Sequence, residues 1–142
     1  MTKPLKPILP QIDAHDSGPC ASESPLIYAV DDEPELTGLY TALLEGSDYC
    51  VRTFNNRAEV VAALRMDRRK PELLITDYLG HPMPVERFMS HCLDVHPTLR
   101  VLMVSGFSNT DGEVRRAKPD RFIQKPFTSE EFRREVSAAL AA

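Results

Sequence analysis

The sequence predicts an α/β fold in which a parallel five-stranded sheet carries helices on both faces. Three observations lead there. Five short apolar runs alternate with segments of helical spacing, and such alternation implies right-handed crossovers between parallel strands. The runs are apolar almost throughout rather than at every second residue, as strands buried on both faces require. Four of them end at residues able to do chemistry: Asp31 and Asp32, Asp77, Ser105 and Lys125.

Each element has a local reason. Pro4, Pro7, Pro10, Pro19 and Pro25 fall within the first 25 residues. Proline fixes φ and removes a backbone donor, so residues 1–25 are expected to form an extended or disordered tail. Its Leu5, Ile8, Leu9 and Ile12 allow a second reading, a short segment that docks on a partner. The folded domain is expected over residues 26–142, with Leu26–Val30 as its first strand. Pro34 suits a first helical turn, and Leu36, Leu39, Tyr40, Leu43 and Leu44 give the spacing of an amphipathic helix ending near Gly46. Tyr49–Phe54 is the second strand. Asn56 caps a helix carrying Val60, Val61 and Leu64, which runs into the basic stretch Arg65–Lys70 before Pro71. Leu73–Thr76 is the third strand. A loop with Gly80, Pro82 and Pro84 leads to a helix through Phe88, Met89, Cys92 and Val95, which stops before Pro97. Val101–Val104 is the fourth strand, Asn109–Ala117 a short helix, and Arg121–Gln124 the fifth strand. Thr128 with Glu131 makes a capping box for a last helix through Phe132, Val136 and Leu140.

Composition excludes several classes of function. The 142 residues contain no uninterrupted apolar stretch of membrane-spanning length, and prolines stand where a signal peptide needs its apolar region. A net charge of -4 gives no overall basic field towards nucleic acid or anionic lipid. Cys20, Cys50 and Cys92 are widely spaced, without a CxxC pair, and read as reduced thiols in a cytoplasmic protein. His91 and His96 lie off a common helix face, which argues against zinc.

In open α/β sheets ligands bind outside the C-terminal ends of the strands. Asp31, Asp32, Asp77, Ser105 and Lys125 are therefore expected to converge on one edge. Carboxylates held close together repel and raise one another's pKa unless a cation lies between them. An all-oxygen site with open positions for water and phosphate suits Mg²⁺. Asp77 then becomes a nucleophile towards phosphorus, with Ser105 and Lys125 placed to hold phosphoryl oxygens.

The segments YAVDDEPEL, LLITDY, VLMVSG and FIQKPF, with the intervals from Asp32 to Asp77 to Ser105 to Lys125, resemble the receiver domain of two-component response regulators over residues 26–142. SGF and FIQKPF are most similar to receivers attached to hybrid histidine kinases. The resemblance implies a flavodoxin-like sheet with strand order 2-1-3-4-5. It implies that Asp77 accepts a phosphoryl group from a histidine kinase or a histidine phosphotransfer protein. It also implies Mg²⁺ held by Asp31, Asp32, Asp77 and the backbone carbonyl of Leu79. Ser105 and Lys125 would bond the phosphoryl oxygens, Ser105 and Phe122 would form the switch, and the Lys125–Pro126 bond would be cis. Such a protein is a phosphoacceptor rather than an enzyme acting on a separate substrate. A relay partner would dock near Pro34, Thr37 and the Pro126–Phe127 loop.

The chain also departs from the family pattern. Receivers commonly carry Met-Pro three and four residues beyond the acceptor; here Gly80 and His81 stand there, and Met83 and Pro84 follow later. Leu79 and Phe107 are apolar and cannot orient a hydrolytic water, so slow loss of the phosphoryl group is expected. Phe122 stands where many receivers have tyrosine. Two rival classes remain: a Mg²⁺-dependent phosphohydrolase with an aspartyl-phosphate intermediate, and a non-phosphorylated scaffold. The first wants an acid two residues after the nucleophile, where Leu79 stands, and the second is expected to have lost one of the five site residues. No DNA-binding element follows the last helix in these residues, so output is expected through a downstream protein target, without direct contact to nucleic acid or membrane. That reading leaves room for a phosphorylation-linked dimer.

Overall fold

The computed structural model describes residues 24–78, 83–106 and 118–141. The tail up to residue 23, Leu79, Phe107 and the helix expected over Asn109–Ala117 lie outside the described residues. Five strands, β1 (Leu26–Val30), β2 (Cys50–Phe54), β3 (Leu73–Asp77), β4 (Arg100–Ser105) and β5 (Arg121–Gln124), form one sheet in the order β2-β1-β3-β4-β5. Every neighbouring pair is parallel. The described helices are α1 (Pro34–Leu43), α2 (Arg57–Met66), α3 (Val85–Val95) and α4 (Ser129–Ala141). The doubly wound α/β fold expected from the alternation, and the strand order implied by the resemblance, are both found.

Side chains alternate across a strand, so each strand supplies two core layers. Tyr28 and Val30 of β1, Leu74 of β3 and Met103 of β4 pack with Val60 and Leu64 of α2 and Phe88 and Cys92 of α3. On the other face Ile27, Ala29, Ile75, Leu102 and Val104 pack with Tyr40 of α1 and Phe132 and Val136 of α4. β1 and β3 are buried at all five positions, which suits their apolar runs Leu26–Val30 and Leu73–Ile75; Thr76 and Asp77 are the buried polar residues that close β3. The Phe132 ring stacks on Tyr40 at 5.5 Å and on Phe127 at 5.6 Å between centroids, joining α4 to α1 beneath the sheet.

Helix starts follow their capping chemistry. Asn56 Oδ1 accepts the Ala58 N–H at 2.7 Å, closing the first turn of α2. The capping box at α4 forms in both directions: Thr128 N–H donates to Glu131 Oε1 at 2.8 Å, and Glu131 N–H donates to Thr128 Oγ1 at 3.0 Å. Past the end of α2, Asp67 receives the Tyr28 hydroxyl at 2.9 Å and pairs with Arg52, whose guanidinium lies 4.9 Å from the Phe54 ring centre. This contact ties β1 and β2 to the end of α2.

Two expectations change. β2 begins at Cys50 rather than Tyr49, and β4 at Arg100 rather than Val101. β3 and β4 end at Asp77 and Ser105 as expected, and ladder register holds both residues. Cys50 is disulfide-bonded, which corrects the reading of three reduced thiols at that position, and Cys92 is a free, buried thiol. Among the described residues no helix is long and apolar enough to cross a membrane.

Candidate functional site

Sheet register sets the site. Val30 pairs with Thr76, so Asp31 leaves β1 beside Asp77 at the end of β3. Asp77 pairs with Val104, which puts Ser105 one residue further along the neighbouring strand. Ser105 in turn pairs with Gln124, and the next residue, Lys125, donates its backbone N–H to the Ser105 carbonyl at 2.7 Å. The Lys125–Pro126 bond is cis. Ser105 is only 4% exposed.

Asp31, Asp32 and Asp77 each offer an oxygen, and these oxygens all lie within 4.8 Å of one another. Asp31 is 1% exposed and Asp77 6%, whereas Asp32 is exposed. Asp31 is fixed on several sides: Oδ1 accepts the Glu33 N–H at 3.0 Å, Oδ2 accepts the Tyr40 hydroxyl at 3.3 Å, and its carbonyl accepts Asn55 Nδ2 at 2.9 Å. Burial pushes the Asp31 carboxyl up to about 6, with the charges of Asp77 and Asp32 adding to the rise and Lys125 opposing it. Burial likewise raises Asp77 to about 7; Arg57 and Lys125 pull it down, and Asp32 pushes it up. Two carboxyls raised towards neutrality by burial, with neighbouring carboxylates adding to the rise, form a donor set that a hard, oxygen-seeking divalent cation fits.

Sequence reasoning missed Arg57. It is the first residue of α2 and is 2% exposed. Its guanidinium lies 3.7 Å from Asp77 Oδ1 but directs its hydrogen bonds to carbonyls: Nη2 to Asp77 at 2.6 Å and Nη1 to Met83 at 2.7 Å. Burial lowers its pKa, and the acidic cluster, Asp77 first, works against that. A signal was available. Arg57 stands at the inward helical spacing shared with Val60, Val61 and Leu64, where a basic residue has no place unless it has buried partners. Tyr40 and Asn55 were missed too, as a plain core residue and a loop residue, because neither motif nor spacing tied them to Asp31.

Two further residues named from the sequence have these surroundings. Phe122 lies outside the carboxylate cluster: it pairs with Met103, is half-buried, and packs on the apolar layer beneath α2 and α3. Thr37, expected on a docking edge, is buried and donates its hydroxyl to the Pro34 carbonyl at 3.0 Å. The exposed part of that edge is Pro34 and Pro126.

No family model matches the chain. Among curated proteins it is 31% identical over 108 residues, 73% of its length, to the nitrogen assimilation regulatory protein NtrX of Azorhizobium caulinodans. Over 108 residues it is 27% identical to the DNA-binding transcriptional regulator NtrC of Escherichia coli. The chain spans 23% of the length of each. Among solved structures, a CheY-like response regulator receiver domain protein from Methanospirillum hungatei superposes with a TM-score of 0.73 at 19% identity, covering 84% of this chain and 95% of that one. The strand order, the acidic cluster at the ends of β1 and β3, and these likenesses agree. The chain has the fold of CheY-like response regulator receiver domains, and its curated matches are the regulators NtrX and NtrC.

Proposed function

We propose that this domain is a phosphoacceptor switch in which Asp77 takes a phosphoryl group from a phosphohistidine donor in a Mg²⁺-dependent reaction. The observation that supports this most is the oxygen trio of Asp31, Asp32 and Asp77, gathered within 4.8 Å at the ends of two adjacent strands. These three carboxylates, with the Leu79 carbonyl, are the residues that would hold Mg²⁺, and the ion supplies positive charge between an anionic nucleophile and an anionic phosphoryl group. A carboxylate oxygen of Asp77 attacks phosphorus. One O–P bond forms, the donor's P–N bond breaks, and the leaving imidazole keeps the electron pair and takes up a proton.

Lys125, whose charge both Asp31 and Asp77 feel, and the Ser105 hydroxyl hold the phosphoryl oxygens. Ser105 on β4 and Phe122, opposite Met103 on the neighbouring β5, carry the change towards the β5–α4 face. The receiver unit is residues 26–142, preceded by the proline-rich tail 1–25, and it acts in the cytoplasm. It catalyses only its own phosphorylation and dephosphorylation. The donor is a histidine kinase or histidine phosphotransfer protein docking by Pro34 and the Pro126–Phe127 loop. Output passes to a downstream protein or to the next carrier of a relay, and phosphorylation favours a dimer through β5 and α4. Direct nucleic-acid or membrane contact has no part in this scheme.

Incubation with acetyl phosphate and Mg²⁺, followed by intact-mass measurement, separates the readings. A single phosphoryl adduct that Asp77→Asn abolishes supports the switch. Turnover of an added phosphomonoester points to a hydrolase instead, and neither result leaves only a scaffold.

A further inference from the structure

We infer that Arg57 is a positioning residue of the phosphoacceptor site, clamping the end of β3 to the entrance of α3. The inference rests on the reading of Asp77 as phosphoacceptor. One planar guanidinium joins segments far apart in sequence: Nη2 donates to the carbonyls of Asp77 at 2.6 Å and Tyr78 at 3.4 Å, while Nη1 donates to the carbonyl of Met83 at 2.7 Å. Tyr78 closes the β3 end, and Met83 stands two residues before the start of α3. The fork of a guanidinium is rigid, so its two nitrogens fix the strand end and the helix entrance relative to each other. The Phe88 ring lies 5.3 Å from the guanidinium carbon, so α3 also supports the group from beneath.

A buried cation is expensive, and a leucine at this inward helical position would pack without that cost. The arginine brings instead a directed connection between the acceptor's own peptide and α3. Among the described residues the buried Nε has no hydrogen-bond partner, so side-chain satisfaction alone does not account for the residue. Its placement 3.7 Å from Asp77 Oδ1 keeps the group beside the nucleophile without replacing the carboxylate's other interactions. A displacement of about an ångström at a nucleophile is enough to slow a reaction steeply, which is the effect a clamp of this kind prevents.

The experiment uses the full chain as wild type, Arg57→Met and Arg57→Lys. Methionine keeps length and contact with Phe88; lysine keeps charge but lacks the fork. Two quantities are read: the rate constant of acyl-phosphate formation from acetyl phosphate at saturating Mg²⁺, normalised to folded protein, and hydrogen exchange at the amides of Tyr78, Met83 and Val85. The expected result is a rate about 10- to 100-fold lower in Arg57→Met, with only partial recovery in Arg57→Lys. Faster exchange confined to those amides should accompany it. A residue that serves stability alone predicts a lower urea midpoint with an unchanged rate, and that outcome overturns the inference. If Arg57→Met does not fold, Arg57→Lys decides by the same two readings: wild-type values for both overturn it. Should wild-type protein accept no phosphoryl group, the reading of Asp77 fails separately. Exchange then judges the clamp alone, and unchanged protection at the three amides refutes it.

Discussion

Raising the pH of metal-free protein from about 5 to about 8 should destabilise it, and Mg²⁺ should remove most of the loss. Folding moves Asp31 from 3.8 to about 6 and Asp77 from 3.8 to about 7. Native protein therefore holds protons that the unfolded chain has already released. The stability tied to these groups is fully present below the unfolded value and is lost as pH rises through the two folded values. Across the interval Asp31 contributes about one unit and Asp77 about two, ~4 kcal/mol in total at ~1.4 kcal/mol per unit. Mutual repulsion appears in both shifts but acts once, so ~2–3 kcal/mol is the expected fall. Mg²⁺ at about 100 times its dissociation constant adds ~2.7 kcal/mol, strongly near pH 8 and weakly near pH 5, where protons compete for the same oxygens. Urea unfolding followed by far-UV circular dichroism, with chelator or with Mg²⁺, measures both effects. Asp77→Asn should flatten the metal-free slope. A metal-free stability that rises across this interval, or a slope that Asp77→Asn leaves untouched, would refute the reasoning.

Other outcomes follow from single residues. Leu79→Asn should shorten the lifetime of the acyl phosphate, read as phosphate loss over time, because an amide there can orient water; an unchanged lifetime removes the shielding idea. Phe132→Ala should cost ~3–5 kcal/mol in urea unfolding, since the ring is fully buried and stacked on both Tyr40 and Phe127. Asn56→Ala should cost ~1 kcal/mol by loss of the bond to the Ala58 N–H, and no change would mean that water serves that amide equally well.

How far the sequence reaches differs between backbone and site. Fully apolar strands, Asn56 and the Thr128–Glu131 box are local signals, and each element they announce is found where expected. Asp31, Asp32 and Asp77 were legible because their types and strand-end positions declare a shared edge. Strand starts were less legible than strand ends. Asp77 and Ser105 close their strands as expected, whereas β2 begins one residue later and β4 one residue earlier than the apolar runs suggest. Arg57 was hidden for a different reason. A basic residue in a helix's first turn reads as solvated, and only the fold brings the Asp77, Tyr78 and Met83 carbonyls around it. Thr37 shows a related limit: its spacing places it beside Pro34 but does not reveal that its hydroxyl turns back to its own helix backbone.

The central claim is that Asp77, among three neighbouring carboxylates, forms the acyl phosphate. Borohydride reduction of the phosphorylated protein converts the modified aspartate to homoserine, and peptide mass mapping then locates it. The account predicts homoserine at position 77 alone, with Asp31 and Asp32 intact. Homoserine at either of those positions, or an adduct stable to borohydride, would contradict it.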